Sequence, residues 1–156
     1  MKCGGEKILD NDSGKTTKAP FPELDLLSTV FKKYPGILAV YLFGSAATGK
    51  ADAASDLDIG VLPKNSSLHA KKLDILTDLA SVGFCEVDLV FLDVKDIVIR
   101  FEIVKHNKVI YRTNDFDSGE YYSKVLRMYF DFLPYLKVQR EAFKRRILDG
   151  QQRNFT

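Results

Sequence analysis

The residues of this chain best suited to chemistry are a pair of closely spaced aspartates and a glycine-serine turn just before them. Asp56 and Asp58 open an apolar run, Asp56-Leu-Asp58-Ile-Gly-Val-Leu62. On a strand, residues two apart leave the same face with Cα atoms about 6.6 Å apart, so the two carboxylates can share a divalent cation. Upstream, the apolar run Ile37–Phe43 ends in Gly44-Ser45, with ten residues between Ser45 and Asp56. A glycine lets the backbone turn sharply out of a strand and approach a ligand closely, which suits phosphate. A phosphate cradle beside carboxylates for Mg²⁺ is the equipment of phosphoryl or nucleotidyl transfer. Singly the features are weak: a strand-ending Gly-Ser is more often just a turn, and Asp56 alone also fits a turn after Ser55. The combination at this spacing carries the reading.

Nucleotidyl transfer commonly uses two metal ions roughly 3.5 to 4 Å apart, which calls for a third carboxylate. Asp88 is the candidate, inside the apolar run Glu86-Val-Asp88-Leu-Val-Phe-Leu92. An aspartate at the centre of a buried strand is costly unless it is paired or binds a metal. The competing reading is an edge-strand aspartate facing water. Glu86 shares its face by alternation and reads as solvated more often than as a supporting ligand. His69 and His106 read as surface or capping residues rather than general bases. Lys137, Arg140 and Lys144 fall on one helical face with Arg145 and Arg146 adjoining, usually a solvated face and less often a docking surface for an acidic partner or RNA.

These residues need elements to position them. The 156 residues suffice for one domain with a real core, and 46% hydrophobic with 28% charged residues is an ordinary globular composition. A net charge of +2, from 23 basic and 21 acidic residues, makes no global case for nucleic acid. Cys3 and Cys85 lack the spacing of a zinc site or a disulfide framework, and no apolar run is long enough to span a membrane. The default location is cytoplasmic. The polar residues 1–20 read as a flexible tail. Leu24, Leu27 and Phe31 predict a first helix from Pro22 to Tyr34-Pro35-Gly36, followed by strands over Ile37–Phe43 and Leu57–Leu62. Leu73, Leu76, Leu79 and Ala80 predict a helix ending near Gly83, and Glu86–Leu92 a third strand. Asp93 is the expected cap of a helix bearing Val94, Ile97, Val98, Phe101 and Val104, before a short strand at Val109–Tyr111. From about Ser118 to Leu148 the pattern is helical, with Val125, Tyr129, Phe132, Leu136 and Phe143 near one stripe and Pro134 expected to kink or split it.

With Gly44, Ser45, Asp56, Asp58 and Asp88 in place, the stretch from Ile37 to Leu92 resembles the DNA polymerase beta-like nucleotidyltransferases, in particular the minimal nucleotidyltransferases. The helical tail, with Tyr129-x-Asp131-Phe132-x-Pro134, is similar to the MntA antitoxins. The resemblance implies an α/β (α+β) nucleotidyltransferase fold, a mixed sheet with packed helices and a C-terminal helical extension. The expected division is a tail over 1–20, a core over 21–113 and the extension over 114–156. It also implies ATP as cosubstrate, two Mg²⁺ ions at Asp56, Asp58 and Asp88, and transfer of AMP to a tyrosine of a small helical HEPN-domain toxin ribonuclease (HepT-like), silencing it. Many relatives carry arginine before the second glycine of the turn. Here Thr48 precedes Gly49, and Lys50 is the candidate to supply that charge to the nucleotide. Adenylyl transfer to a small molecule, and an antitoxin that neutralises its partner by binding alone, remain the alternatives.

Overall fold

The computed structural model describes residues 22–52 and 54–153. The expected tail over residues 1–20 lies outside them. The element order is α1 (Asp25–Phe31), β1 (Ile37–Leu42), α2 (Gly44–Thr48), β2 (Leu57–Pro63), a 3-10 helix (Ser66–Lys71), α3 (Lys72–Ser81), β3 (Val87–Phe91), α4 (Ile97–Val104), β4 (Lys108–Arg112) and α5 (Ser118–Arg153). The four strands form one sheet in the order β3-β2-β1-β4. It is mixed, as the resemblance implies: β1 runs antiparallel to β2 and β4, whereas β2 and β3 run parallel.

Strand alternation gives the sheet two unlike faces. Leu57, Ile59 and Val61 of β2 face α1 and α3, where they meet Leu27, Val30, Phe31, Ile75 and Leu79 in the larger core cluster. Burying each such side chain is worth about 1.5–3 kcal/mol, so this face supplies most of the packing. The other face takes α4 and α5, with Ala39, Tyr41, Leu92, Ile103, Val104 and Val125 at its centre. Gly60 belongs to that face, and a Cβ there would meet Ile103 Cγ2 at 2.4 Å. A larger residue at this position would push α4 off the sheet.

Several elements depart from the sequence reading. The buried stripe of α3 is Ile75 and Leu79, while Leu73 is 76% exposed. The apolar residues of this helix admit more than one stripe, and the neighbouring α1 and β3 decide which is buried. Asp96, not Asp93, caps α4, its carboxylate accepting from the backbone N–H of Val98 at 2.9 Å and of Ile99 at 3.3 Å. Both aspartates precede the apolar run, but only Asp96 sits within reach of the first free N–H groups. Pro134 does not split α5, which is continuous over Ser118–Arg153. Proline removes one backbone donor, freeing the carbonyl of Phe130 four residues back. Phe130 and Pro134 are both exposed, so water can satisfy that carbonyl. Among the described residues no helix is long and apolar enough to cross a membrane.

Candidate active site

β2 and β3 bring the acidic residues together. Their parallel register sets Asp58 directly opposite Asp88, with Leu57 opposite Val87 and Ile59 opposite Leu89. Side chains opposite one another in a parallel pair leave the same face, so Asp58 and Asp88 project on the α4/α5 side, as does Asp56 by alternation. Asp58 is half-buried, whereas Asp56 and Asp88 are exposed. Burial raises the Asp58 carboxyl above its ordinary range, and the negative charges of Asp88 and Asp56 raise it further. The three groups are therefore close enough to feel one another, and positive charge would relieve them. The expectation that Asp88 is buried at a strand centre is corrected: β3 is the sheet edge and Asp88 faces outward. What marks Asp88 is its register with Asp58 rather than desolvation.

The glycine-serine turn is a short helix rather than a loop, as α2 starts at Gly44 directly after β1. Phe43 is tied back to β2 by its N–H, which donates to the Asp58 carbonyl at 3.1 Å. Gly44 has φ +64°, and a Cβ there would lie 2.0 Å from Asp58 Oδ2. No other residue fits against that carboxylate without displacing it. The first N–H groups of any helix lack intrahelical acceptors, and here no side chain caps them, so they are free to bind an anion beside Asp58. The helix closes at left-handed Gly49, whose φ is 72°. Thr48 Oγ1 donates to the Ser45 carbonyl at 3.1 Å and Lys50 N–H to the same carbonyl at 3.0 Å. Thr48 thus turns inward on the helix backbone, while the Lys50 side chain is exposed and in no ion pair among the described residues.

Between Lys50 and Asp56 the chain holds itself. Asp52 Oδ1 accepts from the Ala54 N–H at 2.9 Å and from Ser55 Oγ at 3.0 Å. These bonds to the Ala54 backbone and the Ser55 hydroxyl also keep the Asp52 carboxyl below its ordinary range. This local turn delivers Asp56 to the start of β2.

Neither histidine joins the carboxylates. His69 Nε2 lies 2.8 Å from Asp93 Oδ2, and its ring stacks on Phe91 with centroids 4.2 Å apart, at the end of β3 away from Asp88. Asp93 is thereby engaged in a hydrogen bond with His69 rather than in a helix cap. His106 is exposed between α4 and β4. Sequence reading missed the His69–Asp93 pair because its members stand 24 residues apart and only the tertiary fold joins them. Among the described residues no three acidic, histidine or cysteine side chains close on one point as a ready-made cation cluster. Asp56, Asp58 and Asp88 share a face, and their all-oxygen, acceptor-only donor set has the chemistry a hard divalent cation takes.

The family model for polymerase beta, nucleotidyltransferase, matches residues 26–116 and so spans both the turn and all three carboxylates. Protein adenylyltransferase MntA of Shewanella oneidensis is 30% identical over 108 residues, covering 69% of this chain and 74% of that protein. Among solved structures, a toxin–antitoxin complex with AMP-PNP aligns over 81% of this chain and 99% of its own with TM-score 0.62 at 24% identity. A mutant of the MntA toxin–antitoxin pair aligns over 77% of this chain and 93% of its own with TM-score 0.59 at 26% identity. The fold agrees with these matches, and the chain belongs to the polymerase beta nucleotidyltransferase family.

Proposed function

We propose that this protein is an antitoxin that transfers AMP from ATP to a tyrosine hydroxyl of a HEPN-type toxin ribonuclease, using Mg²⁺. The observation that carries the reading is the register of Asp58 with Asp88, with Asp58 packed beneath Gly44 at the uncapped start of α2. The similarity to a protein adenylyltransferase and to toxin–antitoxin complexes, one with an ATP analogue, supports the substrate and the acceptor.

In this reading Gly44 and Ser45 hold the triphosphate through backbone N–H groups and the Ser45 hydroxyl, and Lys50 adds positive charge from its exposed position. Asp56, Asp58 and Asp88 are the carboxylates that hold Mg²⁺. When bound, the cation offsets phosphate charge and lowers the barrier to in-line displacement. A tyrosine hydroxyl has an ordinary pKa of about 10, so it must lose its proton as it attacks. In this reading that proton is removed with the help of the cation or of Asp88, exposed at the sheet edge. The tyrosine oxygen then forms its bond to the α-phosphorus, the bond from that phosphorus to the bridging oxygen breaks, and pyrophosphate leaves. The core over 21–113 carries this chemistry and the extension over 114–156 addresses the partner.

The test is incubation of the full chain with a purified HEPN toxin and Mg-ATP, followed by mass spectrometry of the toxin. Added AMP on tyrosine, lost with Asp58→Asn, is the expected result. A toxin that is bound and neutralised without gaining mass would overturn it.

A further inference from the structure

The long helix α5 is packed along one half and bare along the other. With 36 residues it is about 54 Å long, whereas α4 beside it has 8 residues and spans about 12 Å. At ~100° per residue, Val125, Tyr129, Phe132, Leu136, Phe143 and Ile147 all fall within about 40° of one line. The first half of that line is used. Val125 is buried in the α4/α5 cluster, and Tyr129 stacks on Phe101 of α4 with centroids 3.8 Å apart. The same line then continues past the end of α4 with no other described residue covering it. Every residue from 137 to 150 is exposed, including Phe143 at 65% and Ile147 at 46%. A helix of this length without tertiary support is marginal in water.

The charges beside the bare line are sorted. Arg140, Lys144 and Arg146 lie within about 80° of it, while Glu141 and Asp149 are roughly 140° away, on the opposite side, which they share with Arg145. The surface is thus a narrow apolar seam with basic flanks, matched to a helix whose own seam is flanked by acidic side chains. A second copy of this chain would set the same basic flanks against each other. A membrane would call for a wider apolar face than the Phe143–Ile147 seam offers. Where the packed and bare halves meet, an open groove of about 620 Å³ lies between Ile97 and Val98 of α4 and Met128, Phe132 and Leu136 of α5. A helix laid along the bare seam would continue the line of α4 and reach that groove with its end.

We infer that the bare half of α5 is a docking surface for an acidic-flanked helix of the HEPN toxin, seated on Phe143 and Ile147 and steered by Arg140, Lys144 and Arg146. This rests on the AMP-transfer reading for the identity of the partner. Removing two central apolar anchors from such a seam weakens binding by about a hundredfold. The experiment compares the full chain with Phe143→Asp/Ile147→Asp and with Arg140→Glu/Lys144→Glu/Arg146→Glu. Each is titrated with a purified HEPN toxin and assayed for AMP transfer, with Mg-ATP affinity and circular dichroism as fold controls. A loss of about a hundredfold in toxin affinity and a matching rise in KM for the toxin, at unchanged Mg-ATP affinity, is the expected result. Wild-type affinity in both variants with AMP transfer intact overturns the docking surface and leaves the AMP-transfer reading standing. Toxin binding that needs the seam but yields no AMP transfer overturns the enzyme reading and keeps the surface. Seam-dependent dimerisation in sedimentation, or seam-dependent binding to phosphatidylserine vesicles without effect on the toxin, assigns the face to another occupant and overturns the proposal.

Discussion

The two faces of the sheet put one strand to two uses. Leu57, Ile59 and Val61 of β2 are at most 1% exposed against α1 and α3, in a cluster that is apolar apart from flanking tyrosines. Their neighbours Asp58, Gly60 and Leu62 point the other way, toward α4 and α5. That second face differs in the pairing of its polar groups: on the first, the Tyr34 hydroxyl donates to Asp78 at 2.9 Å. The hydroxyls of Tyr41 and Tyr121 and Nε of Arg100 are buried on the second without a hydrogen-bond partner among the described residues. Burial pushes both tyrosine hydroxyls to higher pKa. The comparison separates stability from chemistry within seven residues of strand: alternate positions hold the sheet to its core, and the positions between them present a charge that folding alone would not favour.

If that separation is real, substitutions on the two faces must fail in different ways. Asp58→Asn should lower AMP transfer by about a thousandfold or more, because it removes the carboxylate packed against Gly44 in the proposed site. The same change should not unfold the protein. Asp58 has a raised pKa in the folded state, so its contribution is fully present below its ordinary pKa of 3.8 and is lost as pH rises through the raised value. At neutral pH the ionised group therefore costs stability, and Asp58→Asn should unfold at a slightly higher temperature than wild type. The difference should vanish in melts below the ordinary carboxylate range. An activity loss accompanied by a lower Tm at neutral pH would show that Asp58 holds the fold together as well as serving the chemistry.

On the opposite face, Ile59→Ala should cost about 3 kcal/mol in urea unfolding through lost burial and a residual cavity. Mg-ATP affinity of the folded fraction should stay at the wild-type value. A change in nucleotide affinity would mean that the faces are coupled through β2. Asp88→Asn should lower turnover by about a hundredfold with a modest change in ATP affinity if, as proposed, the carboxylate at this open edge acts on the attacking hydroxyl. Equal losses in both would make it one more ligand for the triphosphate's cation. The smallest effect is expected of Tyr41→Phe, which removes a buried hydroxyl without a partner. Thermal unfolding should show it neutral or stabilising by about 1 kcal/mol. A clear destabilisation would show that the hydroxyl has a partner after all, such as a buried water.

Much of the site was legible because it is local. Gly44-Ser45, the ten-residue spacing and Asp56-x-Asp58 lie on consecutive elements, and a glycine or an aspartate at those positions has few cheaper explanations in combination. Period-2 alternation told which side chains share a face. Asp88 was found for a reason the structure does not support, since an apolar run reads alike on a central strand and on an edge. The helix α2 was read only as a turn, because five residues carry too little periodicity to announce themselves.

The sequence alone was enough for the four strands and the order of the longer helices among them, since each rests on side-chain period and turn residues along one segment. Tertiary structure alone decided what depends on distant partners. It chose Ile75 and Leu79 over Leu73 as the buried stripe of α3, gave Asp93 to His69 and the cap of α4 to Asp96, and set Asp88 against Asp58 across a parallel pair. It also let α5 run through Pro134 and beyond the last element that could cover it. The physical reason is common to all of these: a residue's own chemistry fixes which interactions it can make, and only the packed chain fixes which partner is within reach.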